Sequence, residues 1–109
     1  MIDLVFHFGA DVVLVKIDGT NVLFGNSSQG GQIAPIQNLK LSKSGVIKEF
    51  PDLKDNANWH EEAAKRFKEK IKSLKSEDER AEYIIEDLKK FGYTPRFKQR
   101  RGCRVEKIS

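Results

Sequence analysis

Helical periodicity is the clearest hydrophobic pattern in this chain, and it occupies residues 58–92 in two consecutive stretches. In the first stretch the apolar positions fall on a stripe about 100° wide, which is typical of a helix that packs one face on a core. Asn58, followed by Glu61 at the N3 position, predicts an N-cap with a capping box. The positions expected to be buried are His60, Ala63, Ala64, Phe67, Ile71 and Leu74.

The second stretch has stronger boundary signals. Ser76 and Glu79 form an S-x-x-E capping box with three acidic residues in the first turn, where the helix dipole favours negative charge. Gly92 suits the left-handed position that commonly ends a helix. Because only Lys75 and Ser76 separate the two stretches, we expect two neighbouring helices in an αα-hairpin or corner. The apolar stripe of the second helix is Ala81, Ile84, Ile85 and Leu88.

Alternation typical of β-strands precedes the helices. Residues 12–25 contain two apolar runs around Asp18-Gly19, a dipeptide that suits a two-residue type I′ hairpin turn. Such a turn places Ile17 opposite Thr20. One face of the hairpin is then expected to carry Val13, Val15, Ile17, Val22 and Phe24.

Shorter segments flank this hairpin. Residues 4–8 predict a third strand. Residues 26–32 contain no apolar side chain and two adjacent glycines, which indicates a loop. Residues 33–50 are interpreted as two short strands around residues 42–45, with Pro35 confining the first strand to a sheet edge or to extended coil.

Residues 93–109 predict a second hairpin. If residues 100–102 form a three-residue loop with the glycine in the αL conformation, Phe97 pairs with Val105. This register turns Phe97, Cys103 and Val105 toward the core. The opposite face is then basic, with arginines at the tip.

These elements predict a single small α+β domain over residues 1–109, in which an antiparallel sheet of hairpins is packed on one face by a two-helix hairpin. The N-terminal hairpins are expected in residues 1–50, the helix pair in residues 58–92, and the basic hairpin in residues 93–109. One hydrophobic core is expected for a chain of this length.

The composition excludes several broad classes of protein. With 39% hydrophobic and 33% charged residues, the chain is neither a disordered tail nor a membrane-spanning protein. No apolar run approaches the ~20 residues that span a bilayer, and the N-terminus lacks the basic start of a signal peptide. We therefore expect a cytoplasmic protein with no membrane partner. Abundant Lys and Glu with one Cys and one Met fit a thermophile's composition.

Residue types that carry catalysis or bind metals are sparse. His7 and His60 lie in apolar patterns and are expected to be packed. Cys103 is the only cysteine, so no internal disulfide or cysteine-based zinc site is possible. The glycine loop at residues 26–32 lacks the Gly-Lys-Ser/Thr of a P-loop. We expect no cofactor, no metal and no catalytic residue, and the sequence favours a protein that is not an enzyme.

Charge is the feature that points to a partner. The net charge is +4, but residues 93–109 carry six basic residues against one acidic residue, while residues 76–92 carry three against six. We expect a small nucleic-acid-binding accessory protein that contacts the phosphate backbone of DNA or RNA, with Tyr93 and Phe97 as possible stacking rings. The predicted contact residues are Arg96, Lys98, Arg100, Arg101 and Arg104, with Lys65, Lys68 and Lys72 from the first helix.

The alternative function is a protein-interaction module or a homodimeric subunit without catalytic activity. Such a protein would use exposed strand edges, or the acidic face of the second helix against the basic tail of a neighbour. An acidic protein is the corresponding partner for the basic tail itself. Charge alone does not decide between these partners.

Overall fold

An antiparallel sheet forms the centre of the computed structural model, which describes residues 1–26, 33–34 and 40–108. The described residues contain six strands, in the spatial order β4-β3-β2-β1-β5-β6. The last two strands come from the C-terminus, so β5 lies beside β1 at the middle of the sheet. The strands are β1 (Ile2–Phe8), β2 (Asp11–Asp18), β3 (Asn21–Asn26), β4 (Ile33–Ala34), β5 (Thr94–Arg100) and β6 (Glu106–Lys107).

The predicted β2–β3 hairpin is confirmed, but its register differs from the expectation. Asp18 pairs with Asn21, so the turn consists of Gly19 and Thr20 rather than Asp18-Gly19. Gly19 has a φ of +60°, a conformation that glycine adopts without a Cβ penalty. Because the shift is two residues on β3, every side chain keeps its predicted face. Ile17 gains an apolar partner in Val22 where the predicted register offered Thr20.

Both predicted helices are present, as α2 (Trp59–Ser73) and α3 (Glu77–Lys90). At the start of α3 the Ser76 hydroxyl accepts a hydrogen bond from the backbone N–H of Glu79, as predicted. Asn58 precedes α2, but its side chain makes no capping hydrogen bond, so that predicted capping box is wrong. At the end of α3, Gly92 has a φ of +101°, and the next N–H bonds back into the last turn, which is the predicted left-handed ending.

A third helix, α1 (Lys43–Glu49), occupies part of a segment predicted to form strands. The expected strand after residue 45 is therefore wrong. Leu41, Gly45 and Val46 are buried, and their spacing fits one face of a helical turn. The run was too short for periodicity to separate helix from strand. A 3₁₀ turn at Pro51–Leu53 leads from α1 toward α2. Of the loop predicted at residues 26–32, Asn26 belongs to β3 instead, and residues 27–32 lie outside the described residues.

The helices pack on one face of the sheet, and α3 contacts β1, β2 and β5. This face carries the core side chains Ile2, Leu4, Phe6, Val13, Val15, Ile17 and Phe24. The intervening residues of the same strands form the other face, here called the open face. There Val12, Leu23 and Phe97 remain 45%, 42% and 41% exposed. The α+β class and the one-sided packing of the helices agree with the sequence prediction.

Candidate nucleic-acid interface

The C-terminal segment forms a looser hairpin than the sequence predicts. Phe97 pairs with Lys107 and Lys98 pairs with Glu106, so residues 101–105 form the connection. The predicted pairing of Phe97 with Val105 is therefore wrong. Gly102 does adopt the predicted left-handed conformation, with a φ of +82°.

The two faces of β5 are also the reverse of the prediction. Phe97 pairs with Val5 of β1 and lies on the open face. Val105 is 48% exposed and Cys103 is exposed, so neither turns toward the core. The reason is that β1, a neighbour the local pattern does not reveal, sets the register of β5. Pro95, which pairs with Phe6, provides the buried contact of this strand instead.

Tyr93 does not provide a stacking surface, which corrects the sequence prediction. Its side chain is buried, and its hydroxyl donates a hydrogen bond of 2.6 Å to the carbonyl oxygen of Lys40. Burial raises the pKa of the Tyr93 phenol well above its ordinary value. The rings of Phe6 and Phe8 pack against it. Of the two proposed rings, Phe97 alone is exposed.

Arg100 is already engaged within the molecule. It forms an ion pair with Asp78 in the first turn of α3. Lys98 and Arg100 pair with Leu4 and Ile2, so both occupy the helix-covered face of the sheet rather than a separate basic ridge. The acidic start of α3 therefore offsets part of the positive charge of β5.

The neighbouring Glu77 ties two strand ends to α3. Its carboxylate accepts a hydrogen bond of 2.8 Å from the backbone N–H of Gly19 and lies 3.0 Å from the amino group of Met1. The hydrogen bond from Gly19, followed by that from the amino terminus, holds the pKa of Glu77 below its ordinary value. The first turn of α3 is thus a junction between the helix layer and one end of the sheet.

Arg101 and Arg104 differ from Arg100 because they are exposed and form no ion pair within the described part of the chain. The backbone N–H of Arg101 donates a hydrogen bond of 2.9 Å to the carbonyl oxygen of Met1, which fixes the loop to the end of the sheet. Lys107 is also exposed, beside Phe97. Arg96 is half-buried at the irregularity where β5 shifts register against β1.

The three lysines predicted to assist are on a different part of the molecule. Lys65, Lys68 and Lys72 are exposed on α2. Helix α3 packs against both α2 and β5. No described hydrogen bond or ion pair connects the two groups. The predicted contact residues therefore divide between two separate elements, α2 and the C-terminal segment, each of which adjoins the acidic helix α3.

A polar cluster between α1 and α3 was missed from the sequence. Asp87 is almost fully buried and interacts with the hydroxyl of Tyr83. Burial raises the pKa of both groups. Lys90 places its Nζ 3.1 Å from Glu49 and 3.8 Å from Asp87. The i,i+4 spacing of Tyr83 and Asp87 was the available signal, but acids are common in this helix and nothing distinguished this one.

An open cleft of about 450 Å³ adjoins this cluster. It is lined by Gly45, Lys48, Glu49, Lys89 and Lys90. In the described ranges no three His, Cys, Asp or Glu residues are grouped so that they could hold a metal ion. None of the described helices is both long and apolar enough to cross a membrane. Comparison with known proteins found no matching family, no matching curated protein and no matching solved structure.

Proposed function

We propose that this protein binds the phosphate backbone of DNA or RNA through the connection between β5 and β6, residues 101–105, here called the C-terminal loop. It would act as a cytoplasmic accessory protein with little sequence discrimination. The observation that carries the proposal is the exposure of Arg101 and Arg104, neither of which is neutralised by a carboxylate within the described residues. Guanidinium groups form bidentate hydrogen bonds with phosphate oxygens, and exposed ones need not break an internal pair to do so.

The loop is anchored well enough to present these side chains together. The backbone N–H of Arg101, the first residue of the loop, donates a hydrogen bond to the carbonyl oxygen of Met1. The N–H of Cys103 donates a hydrogen bond of 2.9 Å to the carbonyl oxygen of Arg100. After β6, the N–H of Ile108 donates to the carbonyl oxygen of Arg96 at 2.8 Å. The backbone on both sides of the loop is therefore tied to β1 or β5, which reduces the ordering cost of binding.

The other predicted residues take unequal roles in this proposal. Arg96, Lys98 and Lys107 flank the loop and add to its positive potential. Arg100 contributes less because Asp78 already pairs with it. The lysines of α2 contribute less to this site, since they lie on a different element from the loop and the acidic helix α3 adjoins both elements.

Fluorescence anisotropy with labelled single-stranded and duplex oligonucleotides at ~50 mM salt tests the proposal, because backbone binding is strongest at low salt. We expect Arg101→Ala/Arg104→Ala to weaken binding at least ~10-fold and to reduce the salt slope by about 2, one for each lost phosphate contact. Lys68→Ala/Lys72→Ala removes the same charge from α2 and should weaken binding no more than ~3-fold.

Two results would overturn the proposal. The first is that the native protein binds neither DNA nor RNA at low salt. The second is that the two double variants lose affinity equally, because the loop would then have no special role beyond net charge. Melting temperatures of both variants should match that of the native protein, since all four side chains are exposed.

A self-associating subunit is the second candidate function. It is favoured by the apolar open face, where Val12, Leu23 and Phe97 are exposed together on one side of the sheet. Contiguous apolar surface of this kind marks interaction sites in folded proteins. Light scattering across a concentration series distinguishes a monomer from a self-associating chain.

A further inference from the structure

The open face carries apolar side chains on each of its four long strands. Phe97, Val5 and Leu14 lie side by side on β5, β1 and β2, because Val5 pairs with both of the others. Val12 and Leu23 extend this surface on β2 and β3. Packing these side chains against a partner would remove them from water, which is the main favourable term in most protein association.

The size of the face is close to the minimum for a specific interface between two copies. Four strands spaced ~4.8 Å apart and ~24 Å long span roughly 450 Å² in flat projection. Two such faces bring roughly 900 Å² together before side-chain relief is counted. The minimum expected of a specific interface is ~1,000 Å² in total, so the flat projection falls just below it and the relief of the side chains has to supply the remainder.

The charges on the open face identify its partner. Asp3 and Lys16 are cross-strand neighbours on the two central strands, near one end of the sheet, yet no ion pair joins them within the described residues. Asp3 Oδ1 is shielded from solvent and has no hydrogen-bond partner there. A two-fold interface uses the same patch on both copies, so charges on that patch are complementary only when both signs are present. Nucleic acid or an acidic protein would instead place negative charge against Asp3.

We propose that a second copy of this chain covers the open face, with Asp3 of each copy opposite Lys16 of the other. This inference rests on the self-association given above as the second candidate function. A two-fold axis that runs along the strands, midway between β1 and β2, produces the arrangement. It brings β1 of one copy over β2 of the other, and the same rotation places Val5 opposite Leu14.

This geometry is that of an aligned β-sandwich. Packed sheets lie ~10 Å apart, with their strands turned by about 30° because each sheet is twisted. A lysine and an aspartate reaching from opposite sheets can meet across such a gap. Since the axis relates the two copies, each charge pair occurs twice in the dimer.

Sedimentation velocity over a concentration series tests the proposal through a charge exchange. Asp3→Lys alone and Lys16→Asp alone each place like charges opposite one another at two sites, so each should raise the dimer dissociation constant at least ~10-fold. The double variant Asp3→Lys/Lys16→Asp restores opposite charges and should return to within ~3-fold of the native constant. Lys68→Asp makes the same charge change on α2 and should leave the constant unaltered.

A second pair of variants covers the case in which changes at the half-buried Asp3 unfold the protein. Val12→Asp and Val105→Asp alter similarly exposed valines, of which only Val12 lies on the open face. We expect Val12→Asp to weaken the dimer at least ~10-fold and Val105→Asp to leave it intact. Equal effects of the two variants would overturn the assignment of the open face.

The remaining outcomes separate this inference from self-association itself. A native protein that stays monomeric at all concentrations overturns both. A dimer that is indifferent to either single charge reversal overturns this interface but leaves self-association standing. Single reversals that weaken the dimer without rescue in the double variant overturn the pairing of Asp3 with Lys16.

Discussion

Gly45 of α1 lies directly against the carbonyl oxygen of Lys90 at the end of α3, so that a Cβ at position 45 would be 1.9 Å from that oxygen. The atom in the way is backbone, which cannot rotate aside. Glycine at this position therefore sets how closely the two helices approach.

We expect Gly45→Ala to destabilise the protein by at least ~1–3 kcal/mol, as overpacking does. Helix propensity alone predicts the opposite, because alanine is favoured over glycine by about 1 kcal/mol inside a helix. Urea denaturation measures the difference. Lys48→Ala, an exposed change in the same helix, should stay within ~0.5 kcal/mol of the native protein. A stabilised Gly45→Ala variant would show that α1 and α3 do not approach this closely.

Glu77 should make stability depend on pH in acid. Its folded pKa lies below the ordinary 4.5, mainly through the hydrogen bond from Gly19. Its contribution is therefore fully present above pH 4.5 and is lost as the pH falls through the folded pKa. We expect Glu77→Gln to be less stable than the native protein at neutral pH, with the gap closing in that acid window.

Chemical denaturation of both proteins across the acid range measures this gap. Glu79→Gln in the same helical turn serves as the control, because the Glu79 side chain has no described partner while its position near the helix dipole is similar. A gap that stays constant down to the lowest pH would contradict the contact between Glu77 and Gly19.

Asp87 should show the opposite dependence on pH. Burial raises its folded pKa above the ordinary 3.8. As the pH rises past 3.8 the unfolded chain ionises first, so the native protein loses stability until the pH passes the folded pKa. Asp87→Asn keeps an oxygen to accept from Tyr83 but cannot ionise. The free energy of unfolding of the Asp87→Asn variant should therefore rise relative to that of the native protein as the pH increases from 3.8 to neutrality. Denaturation of both proteins at matched pH values measures this difference.

Cys103 distinguishes the predicted C-terminal hairpin from the observed one. In the predicted register this thiol packs inward, whereas the structure leaves it exposed. We expect a thiol reagent to label the folded protein at a rate close to that of the urea-unfolded chain. Protection of several orders of magnitude in the folded state would favour the predicted register instead.

Local signals were sufficient for the parts of the fold that local chemistry determines. The hydroxyl of Ser76 caps the start of α3 and the backbone of Gly92 ends it, as predicted, because a helix cap depends on residues within one turn. The faces of β2 and β3 were also predictable, since a shift of two residues preserves the alternation. The exact position of the turn between β2 and β3 was not predictable in this way. Pairing Ile17 with Val22 adds an apolar contact that the sequence preferences of turns do not take into account.

Contacts between distant parts of the chain account for what the sequence did not reveal. Helix α1 forms where Gly45 meets the end of α3, 45 residues further along the chain. Phe97 faces away from the helices because β1 directs the register of β5. The ion pair between Arg100 and Asp78 was likewise not predicted, although the sequence shows that residues 76–92 are acidic and residues 93–109 are basic.

The position of β5 beside β1 has a consequence for folding during synthesis. Strand β1 can pair with β2 as soon as both have been synthesised, but its other edge stays unpaired until residues 94–100 have followed. Until then an apolar strand keeps a row of unpaired backbone groups. The growing chain therefore passes through a stage in which another nascent copy can pair with that edge, and the synthesis of β5 ends this exposure.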